Sequence, residues 1–305
     1  MFSLSAIVCT YNPDPAILEQ CLDGIAAAHR QFPIQEVLII DNNSKDAVAG
    51  MAVVKDFTMR VPETRLIGEP AQGLTNARLR AIKEATGDLL VFIDDDNLIA
   101  ADFFEKASRV ASLFPFIGSF SGKVDLVFNQ PPPQWTKKYW GLLVYRTFTG
   151  NHWGNIPFNN DFMPCGAGMC VRKEVANHYF SLHENGKRKF HLDRSKDSLL
   201  SGGDNDLAMC ACDIGMGKGL FEDLSLRHFI PQNRFTKEYL TKLAYGIYYS
   251  SSILKFLRTG EPETLSSKRR MLNGWYNLFR SGEDASISRA ADKGILDARQ
   301  FLQNH

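Results

Sequence analysis

No Cys-x-x-Cys pair occurs in this chain, although it carries six cysteines: Cys9, Cys21, Cys165, Cys170, Cys210 and Cys212. Cys9 sits in an apolar strand pattern and Cys21 in a helical one, so both read as small core residues. Cys210 and Cys212 stand too close together on one helix to bridge, and reduced thiols in a cytosolic protein are the plain expectation. No window approaches the roughly 18 apolar residues of a membrane span. The start, Met1-Phe2-Ser3-Leu4-Ser5-Ala6-Ile7, lacks the basic and long apolar regions of a signal peptide. Net charge is +1, so no overall field argues for nucleic acid. Gly-x-Gly-x-x-Gly is missing after the first strand, which removes the main support for a dinucleotide fold. Gly-x-x-x-x-Gly-Lys-Ser/Thr is missing too, which argues against a P-loop nucleotidase. There is no internal repeat and no low-complexity segment.

What remains is an ordinary globular composition of 44% hydrophobic and 23% charged residues over 305 positions, enough for a sizeable core. The first hundred residues alternate strand and helix patterns. Strands are expected at 4–10, 36–40, 65–68 and 89–93, and helices at 14–32 and 74–85, the latter stopping near Gly87. A helical stretch of about 15 residues is expected after the second strand. Buried apolar strands separated by helices predict a mostly parallel sheet covered on both faces. The pattern changes after residue 115: a strand at 124–128, an aromatic and Pro-rich region at 130–154, and a turn followed by a strand at 163–172. A charged, mobile loop is expected at 183–197 and a helix at 204–215. Helices at 238–257, 265–280 and 287–303 complete the chain. The division expected is a domain over 1–235, with halves 1–115 and 116–235, and a helical extension over 236–305.

Ligands of parallel sheets bind beyond the carboxyl ends of the strands. Three polar clusters fall at such ends: Thr10-Tyr11-Asn12, Asp41-Asn42 and Asp94-Asp95-Asp96. Three adjacent carboxylates are unfavourable unless well solvated or bound to a cation. Hard oxygen ligands there suit Mg²⁺ or Mn²⁺, which usually arrive with a substrate phosphate; a solvated acidic turn is the plain alternative. Asp41 can accept hydrogen bonds from a base NH or a ribose hydroxyl, or close an Asx turn with Ser44.

These segments together resemble family 2 glycosyltransferases of the GT-A fold. The resemblance rests on Thr10-Tyr11-Asn12, on Val37-Leu38-Ile39-Ile40-Asp41-Asn42-Asn43-Ser44 and on Phe92-Ile93-Asp94-Asp95-Asp96. It rests also on Gly73-Leu74-Thr75-Asn76-Ala77-Arg78 and Gly166-Ala167-Gly168-Met169, and covers roughly residues 4–235. It implies an inverting transferase that moves a sugar from a nucleotide diphosphate, UDP- or GDP-linked, to an acceptor hydroxyl. The nucleotide side would comprise Thr10, Tyr11, Asn12, Asp41, Asn76, Arg78, Asp94, Asp95 and Arg234. The metal, Mn²⁺ or Mg²⁺, would be held by Asp96 and His228, with Asp95 able to share the task of Asp96. Asp204, in Gly202-Gly203-Asp204-Asn205-Asp206, matches the family's catalytic base, while Gly203 stands where the family usually has Glu.

Each residue also has a plainer reading. Asp204 would serve as a helix N-cap, and His228 as a core histidine. Trp135, Trp140 and Trp153 would stack on acceptor sugars, or simply anchor a long loop. Arg234 would neutralise the leaving diphosphate with its forked donors. The Gln-x-x-Arg-Trp motif of processive members is absent, which favours single additions. The basic amphipathic stretch 268–280 would touch an anionic membrane beside a lipid-linked saccharide acceptor, or pack on its own domain. The resemblance implies surface polysaccharide or glycan assembly in the cytoplasm or at the inner face of the membrane. Rival readings are a sugar-phosphate nucleotidyltransferase, whose Gly-rich loop with Arg and Lys is missing, and a silent nucleotide-sugar-binding module, for which Gly203 is the hint.

Overall fold

The computed structural model describes residues 2–190, 192–193, 199–265 and 282–304. The helix expected over 265–280 and the basic stretch 268–280 therefore lie, Leu265 apart, outside the described residues, as do positions 191 and 194–197 of the charged loop. Contacts divide the chain into two compact units. One comprises Met1–Val127, Val144–Glu184 and Asp204–Ile230, and the other Phe128–Leu143, Asn185–Gly203 and Pro231–His305.

The first unit is built on one sheet. Its strands are β1 (Leu4–Thr10), β2 (Glu36–Asp41), β3 (Thr64–Gly68), β4 (Leu89–Asp94), β5 (Asn97–Ile99), β6 (Ile117–Val127), β7 (His152–Gly154), β8 (Met169–Arg172) and β9 (Gly217–Phe229). They lie in the order β3-β2-β1-β4-β8-β6-β9-β5, with β7 beside β9. The first four are parallel; β1, β2 and β4 are almost wholly buried and rich in apolar residues, as strands covered on both faces must be, whereas the edge strand β3 is half exposed. Register pairs Thr10 with Asp41 and Cys9 with Asp94, so three strand ends share one rim. The antiparallel β8 enters between β4 and β6, and β6 runs parallel to β9. This is the mostly parallel, helix-flanked sheet that the sequence predicts.

The helices of this unit are α1 (Pro15–Gln31), α2 (Ala52–Arg60), α3 (Leu74–Glu84), α4 (Phe103–Leu113), α5 (Lys173–Glu184) and α6 (Gly203–Asp213). Asp14 caps α1 by accepting from the amides of Ala16 and Ile17 at 2.9 and 3.2 Å, and Pro15 opens it. Side chains from sheet and helices, among them Leu22, Ile39, Phe57, Val91, Phe104, Phe120 and Phe221, form one buried cluster. Each such side chain contributes about 1.5–3 kcal/mol by leaving water.

Several elements differ from expectation. α2 has 9 residues instead of the longer stretch, because the Asp41 carboxylate takes the amides of Ser44 and Val48, both at 3.0 Å, and holds that loop outside the helix. β6 has 11 residues and starts well before the strand expected at 124–128. Its early glycines are forced by packing: a Cβ on Gly122 would lie 2.1 Å from the Leu224 carbonyl oxygen. α4, β5 and α5 were not expected at all. The carbonyls of Ala111 and Phe114, at the end of α4, are taken by the buried Arg172 guanidinium at 2.6 and 3.3 Å, which supplies the donors that a helix end lacks.

In the second unit, α7 (Lys237–Thr259) and α8 (Gly282–Gln303) pack together. A Cβ on Gly294 would fall 2.5 Å from the Tyr245 carbonyl, so glycine is what lets the two helices approach. Trp140 packs against Phe128 and Phe235 with ring centroids 5.9 and 6.4 Å away. Among the described residues, no helix is long and apolar enough to cross a membrane.

Candidate active site

The rim of β1, β2 and β4 is cross-tied by short polar side chains. Thr10 donates through its hydroxyl to Asp95 at 2.5 Å. Asn12, in left-handed backbone at φ 47, accepts from the Lys45 amide at 2.8 Å. Asn42, buried, donates to the carbonyls of Glu69 and Ala71 at 3.3 and 2.8 Å and accepts from the Gly73 amide at 2.7 Å. Gly73 has φ 134, a conformation that side chains resist, and α3 starts directly after it. The Asn76 amide bonds the Gln72 carbonyl at 3.3 Å within that first turn. Tyr11 stands 47% exposed at the same rim, available for a flat contact.

The three carboxylates are sorted by their partners. Asn97 accepts from the Asp94 amide and donates to Asp96, both at 3.2 Å, closing the turn between β4 and β5. β5 pairs with β9 so that Asn97 faces His228, and the Phe229 amide donates to the Asp96 carbonyl at 2.9 Å. That pairing sets the nearly buried imidazole Nε2 of His228 3.3 Å from the Asp96 carboxylate. Beneath the turn lies the Cys21 thiol, donating to the Asp94 carbonyl at 3.5 Å. Burial, followed by the charges of Asp95, Asp96 and Asp94, pushes that thiol well above its ordinary pKa, so it stays neutral.

A carboxylate oxygen and an imidazole nitrogen 3.3 Å apart suit neighbouring positions around a divalent ion, whose octahedral edge with about 2.1 Å bonds is about 3.0 Å. The donor set therefore fits Mn²⁺ or Mg²⁺.

Asp204 opens α6 and is half-buried. It accepts from the Gly166 amide at 2.9 Å and from its neighbour, the Asn205 amide, at 2.9 Å. It follows Gly203 inside the first turn of α6, so it is a first-turn carboxylate and not the helix N-cap, and the two amide donors fix its position. Gly166 also brings Asp204 towards Arg78: a Cβ there would meet an Arg78 Nη at 3.0 Å and an Asp204 oxygen at 3.2 Å. Arg78 itself is buried on α3. The adjacent Cys165 thiol feels the site from both sides. Burial raises its pKa, the Arg146 charge and the Ser121 hydroxyl bond oppose that, and the Asp204 and Asp94 carboxylates add to the rise.

The structure thus brings together Thr10, Asn12, Asp41, Asp94, Asp95, Asp96 and His228 on one rim, with Arg78 and Asp204 meeting at Gly166. Trp153 is not brought there: it pairs with Gly219, some 30 Å of strand from His228 along β9, and rests on Phe116 with centroids 4.9 Å apart. Trp135, Trp140 and Arg234 belong to the second unit. Trp135 meets Tyr139 edge-on, Trp140 lies in the aromatic cluster already described, and Arg234 lies in the short turn Gln232–Phe235. Sequence reasoning missed Asn97 and Arg146, whereas Cys21, read as a small core residue, is buried as expected. For Asn97 the signal was its place directly after the acidic run.

Comparison with known proteins fits this geometry. The family model described as glycosyl transferase family 2 matches residues 5–180, and the chain belongs to that family. An N-acetylglucosaminyltransferase of Rhizobium meliloti (strain 1021) is 32% identical over 125 residues, which is 40% of this chain and 28% of that protein. An uncharacterized glycosyltransferase, EpsJ, of Bacillus subtilis (strain 168) is 28% identical over 108 residues, 35% of this chain and 30% of that one. The matches therefore span under a third of these relatives' lengths. Among solved structures, the mannosyltransferase PcManGT from Pyrobaculum calidifontis, in complex with GDP-Man and Mn²⁺, superposes with TM-score 0.56 at 17% identity over 99% of this chain and 79% of that one. The S. aureus TarS 1-349 complex with UDP-GlcNAc gives 0.51 at 14% identity, over 99% and 92%. These likenesses establish the GT-A fold.

Proposed function

We propose that this protein is an inverting glycosyltransferase that moves a sugar from a nucleotide diphosphate to an acceptor hydroxyl. The reading rests on one observation: the Gly166 amide holds the Asp204 carboxylate at 2.9 Å beside the Arg78 guanidinium, while the acidic rim of the same unit sets Asp96 3.3 Å from His228. Sugar transfer with inversion needs this pairing of a carboxylate base with a separate anionic cluster on the donor side. The first unit is the catalytic part in this reading.

Thr10, Tyr11, Asn12 and Asp41 border the nucleotide, with Asn76 and Arg78 at the start of α3. Asp41 keeps lone pairs for a base or ribose while its two oxygens hold the Ser44 and Val48 amides. Asp94 and Asp95 face the ribose and diphosphate, and Asp96 with His228 would hold Mn²⁺ or Mg²⁺. Such an ion, when bound, neutralises charge on the diphosphate as the sugar leaves. Arg78 adds fixed positive charge for the same purpose. Asp204 takes the proton from the acceptor hydroxyl as its oxygen bonds to the anomeric carbon. The bond from that carbon to the phosphate oxygen breaks on the opposite face, and its electron pair leaves with the diphosphate.

The donor is UDP- or GDP-linked. The N-acetylglucosaminyl names among the relatives make UDP-N-acetylglucosamine the first to test. The acceptor is a saccharide or lipid-linked saccharide in glycan or polysaccharide assembly. The decisive experiment is Asp204→Asn, followed by transfer or donor hydrolysis alongside donor binding by calorimetry. Loss of turnover with donor affinity within a few-fold supports the base. Equal loss of binding and turnover, or unchanged turnover, refutes it.

A further inference from the structure

On the opposite flank of α6 from its first turn lies a second cluster that the proposed transfer does not use. His178 on α5 and Cys210 and Asp213 on α6 present one ligand atom each, all within 4.8 Å of one another. His178 Nε2 and an Asp213 oxygen are 3.6 Å apart. We propose that this trio is a binding site for a borderline-soft divalent metal ion of the Zn²⁺ class, with water as the fourth ligand.

The argument is chemical and geometric. Cys210 and Asp213 are three residues apart on one helix, so their side chains leave the same face. His178 completes the set from the neighbouring helix. Bonds of about 2.3 Å to sulfur and 2.0–2.2 Å to nitrogen and oxygen place tetrahedral ligand atoms about 3.3–3.6 Å apart. The His178–Asp213 spacing already matches, and the widest separation needs a side-chain adjustment of about 1 Å. Cys210 is fully buried, whereas the His178 and Asp213 side chains are 29% and 28% exposed. The thiol thus forms the floor of the site, and its mouth opens to water where an ion would enter and a water ligand would sit. Three protein ligands of mixed type plus water is a common arrangement for zinc.

The ligand types separate this site from the acidic rim. Carboxylates with one imidazole suit Mn²⁺ or Mg²⁺, whereas a thiolate selects zinc-like ions. The other cysteine of this helix, Cys212, is not part of the trio. An ion bound here would clip α5 to α6. Cys210 lies about 9 Å along the helix axis from Asp204, so the clip would steady the far end of the helix whose first turn carries that carboxylate.

The test uses the full chain, stripped of metal and titrated with Co²⁺. A thiolate-to-cobalt charge-transfer band in the near ultraviolet should appear, and Zn²⁺ should displace it. Cys210→Ser should abolish the band. His178→Asn and Asp213→Asn, at the solvent side, should each weaken Co²⁺ binding by at least about tenfold. His228→Asn should leave the band intact. At a hundredfold excess over Kd, Zn²⁺ should raise the melting midpoint of the wild type by roughly 5 °C. Absence of the band in the wild type overturns the proposal. So does a band that persists in Cys210→Ser, one that disappears with His228→Asn, or unchanged affinity in both His178→Asn and Asp213→Asn. Should Cys210→Ser fail to fold, the two solvent-side variants decide. None of these readouts depends on sugar transfer, so the active-site reading stands or falls separately.

Discussion

Lys218 offers the most quantitative check on this structure. It lies on β9 with no exposed surface, donates to the Asn159 carbonyl at 2.9 Å and sits 4.4 Å from the centre of the Phe162 ring. Burial is the main cause that lowers its pKa to about 8 from the ordinary 10.5; Cys212 opposes the shift and Arg146 adds to it. Between those two pH values the unfolded chain holds a proton that the folded chain has released. Stability must therefore rise with pH across that window. A shift of this size corresponds to about 3 kcal/mol over the full range, of which about 2.5 kcal/mol falls between pH 7.5 and pH 10. Lys218→Met keeps the length of the side chain and removes the titration. It also leaves the Asn159 carbonyl without its donor, a cost of about 1–3 kcal/mol that does not vary with pH. Urea denaturation of both proteins across this range isolates the effect, because all other groups cancel. Wild type should gain about 2.5 kcal/mol on the variant as pH rises. Parallel pH profiles would show that the ammonium is not buried as the structure has it.

Gly203→Ala should destabilise by about 2–4 kcal/mol, since its Cβ would lie 2.1 Å from an oxygen of the buried Asp193. Thermal melts should find much of that loss recovered in Asp193→Ala/Gly203→Ala, a coupling that distant effects would not produce. Asp96→Ala should remove the part of donor affinity that depends on Mn²⁺, and calorimetry with and without the ion reads this directly. Glu36 is buried, which raises its pKa, but hydrogen bonds from the Thr86 amide, Ser5, the Thr86 hydroxyl and Arg65 prevail and lower it. Its stabilising effect is therefore present above pH 4.5 and lost as pH falls through the lower folded value. The advantage of wild type over Glu36→Gln should shrink on acidification, and a constant gap would contradict the assignment.

The first four strands, α1, α3 and α6 were legible because their apolar runs and caps are local signals. Asp41, Asp94–Asp96 and Asp204 were legible because each stands where a strand ends or a helix begins. α4 escaped notice although Phe103, Phe104, Ala107, Val110 and Ala111 keep a helical period, since the acidic turn just before it drew the boundary elsewhere. β6 was truncated because Gly118, Ser119, Ser121 and Gly122 weaken its apolar pattern, and the reason for the glycines is non-local: Val175 and Ala211 crowd Gly118, and Leu224 of β9 crowds Gly122. The partners that hold the site are likewise non-local. Nothing near Gly166 in the chain indicates that its amide grips Asp204 or that its missing side chain admits Arg78. The placement of Trp153 beside Phe116 follows from strand pairing at the far end of β9, which no aromatic count in the 130–154 region reveals.

Asn42 joins the loop after β2 to the segment between β3 and α3 through three hydrogen bonds of one small amide. Loops that would otherwise wander are already frozen before any molecule arrives. Whatever is taken up at this rim is spared the ordering entropy that floppy walls would charge against affinity, so recognition there should be fast and rigid. Discrimination between donors must then come from shape and charge complementarity, not from a loop folding around its guest.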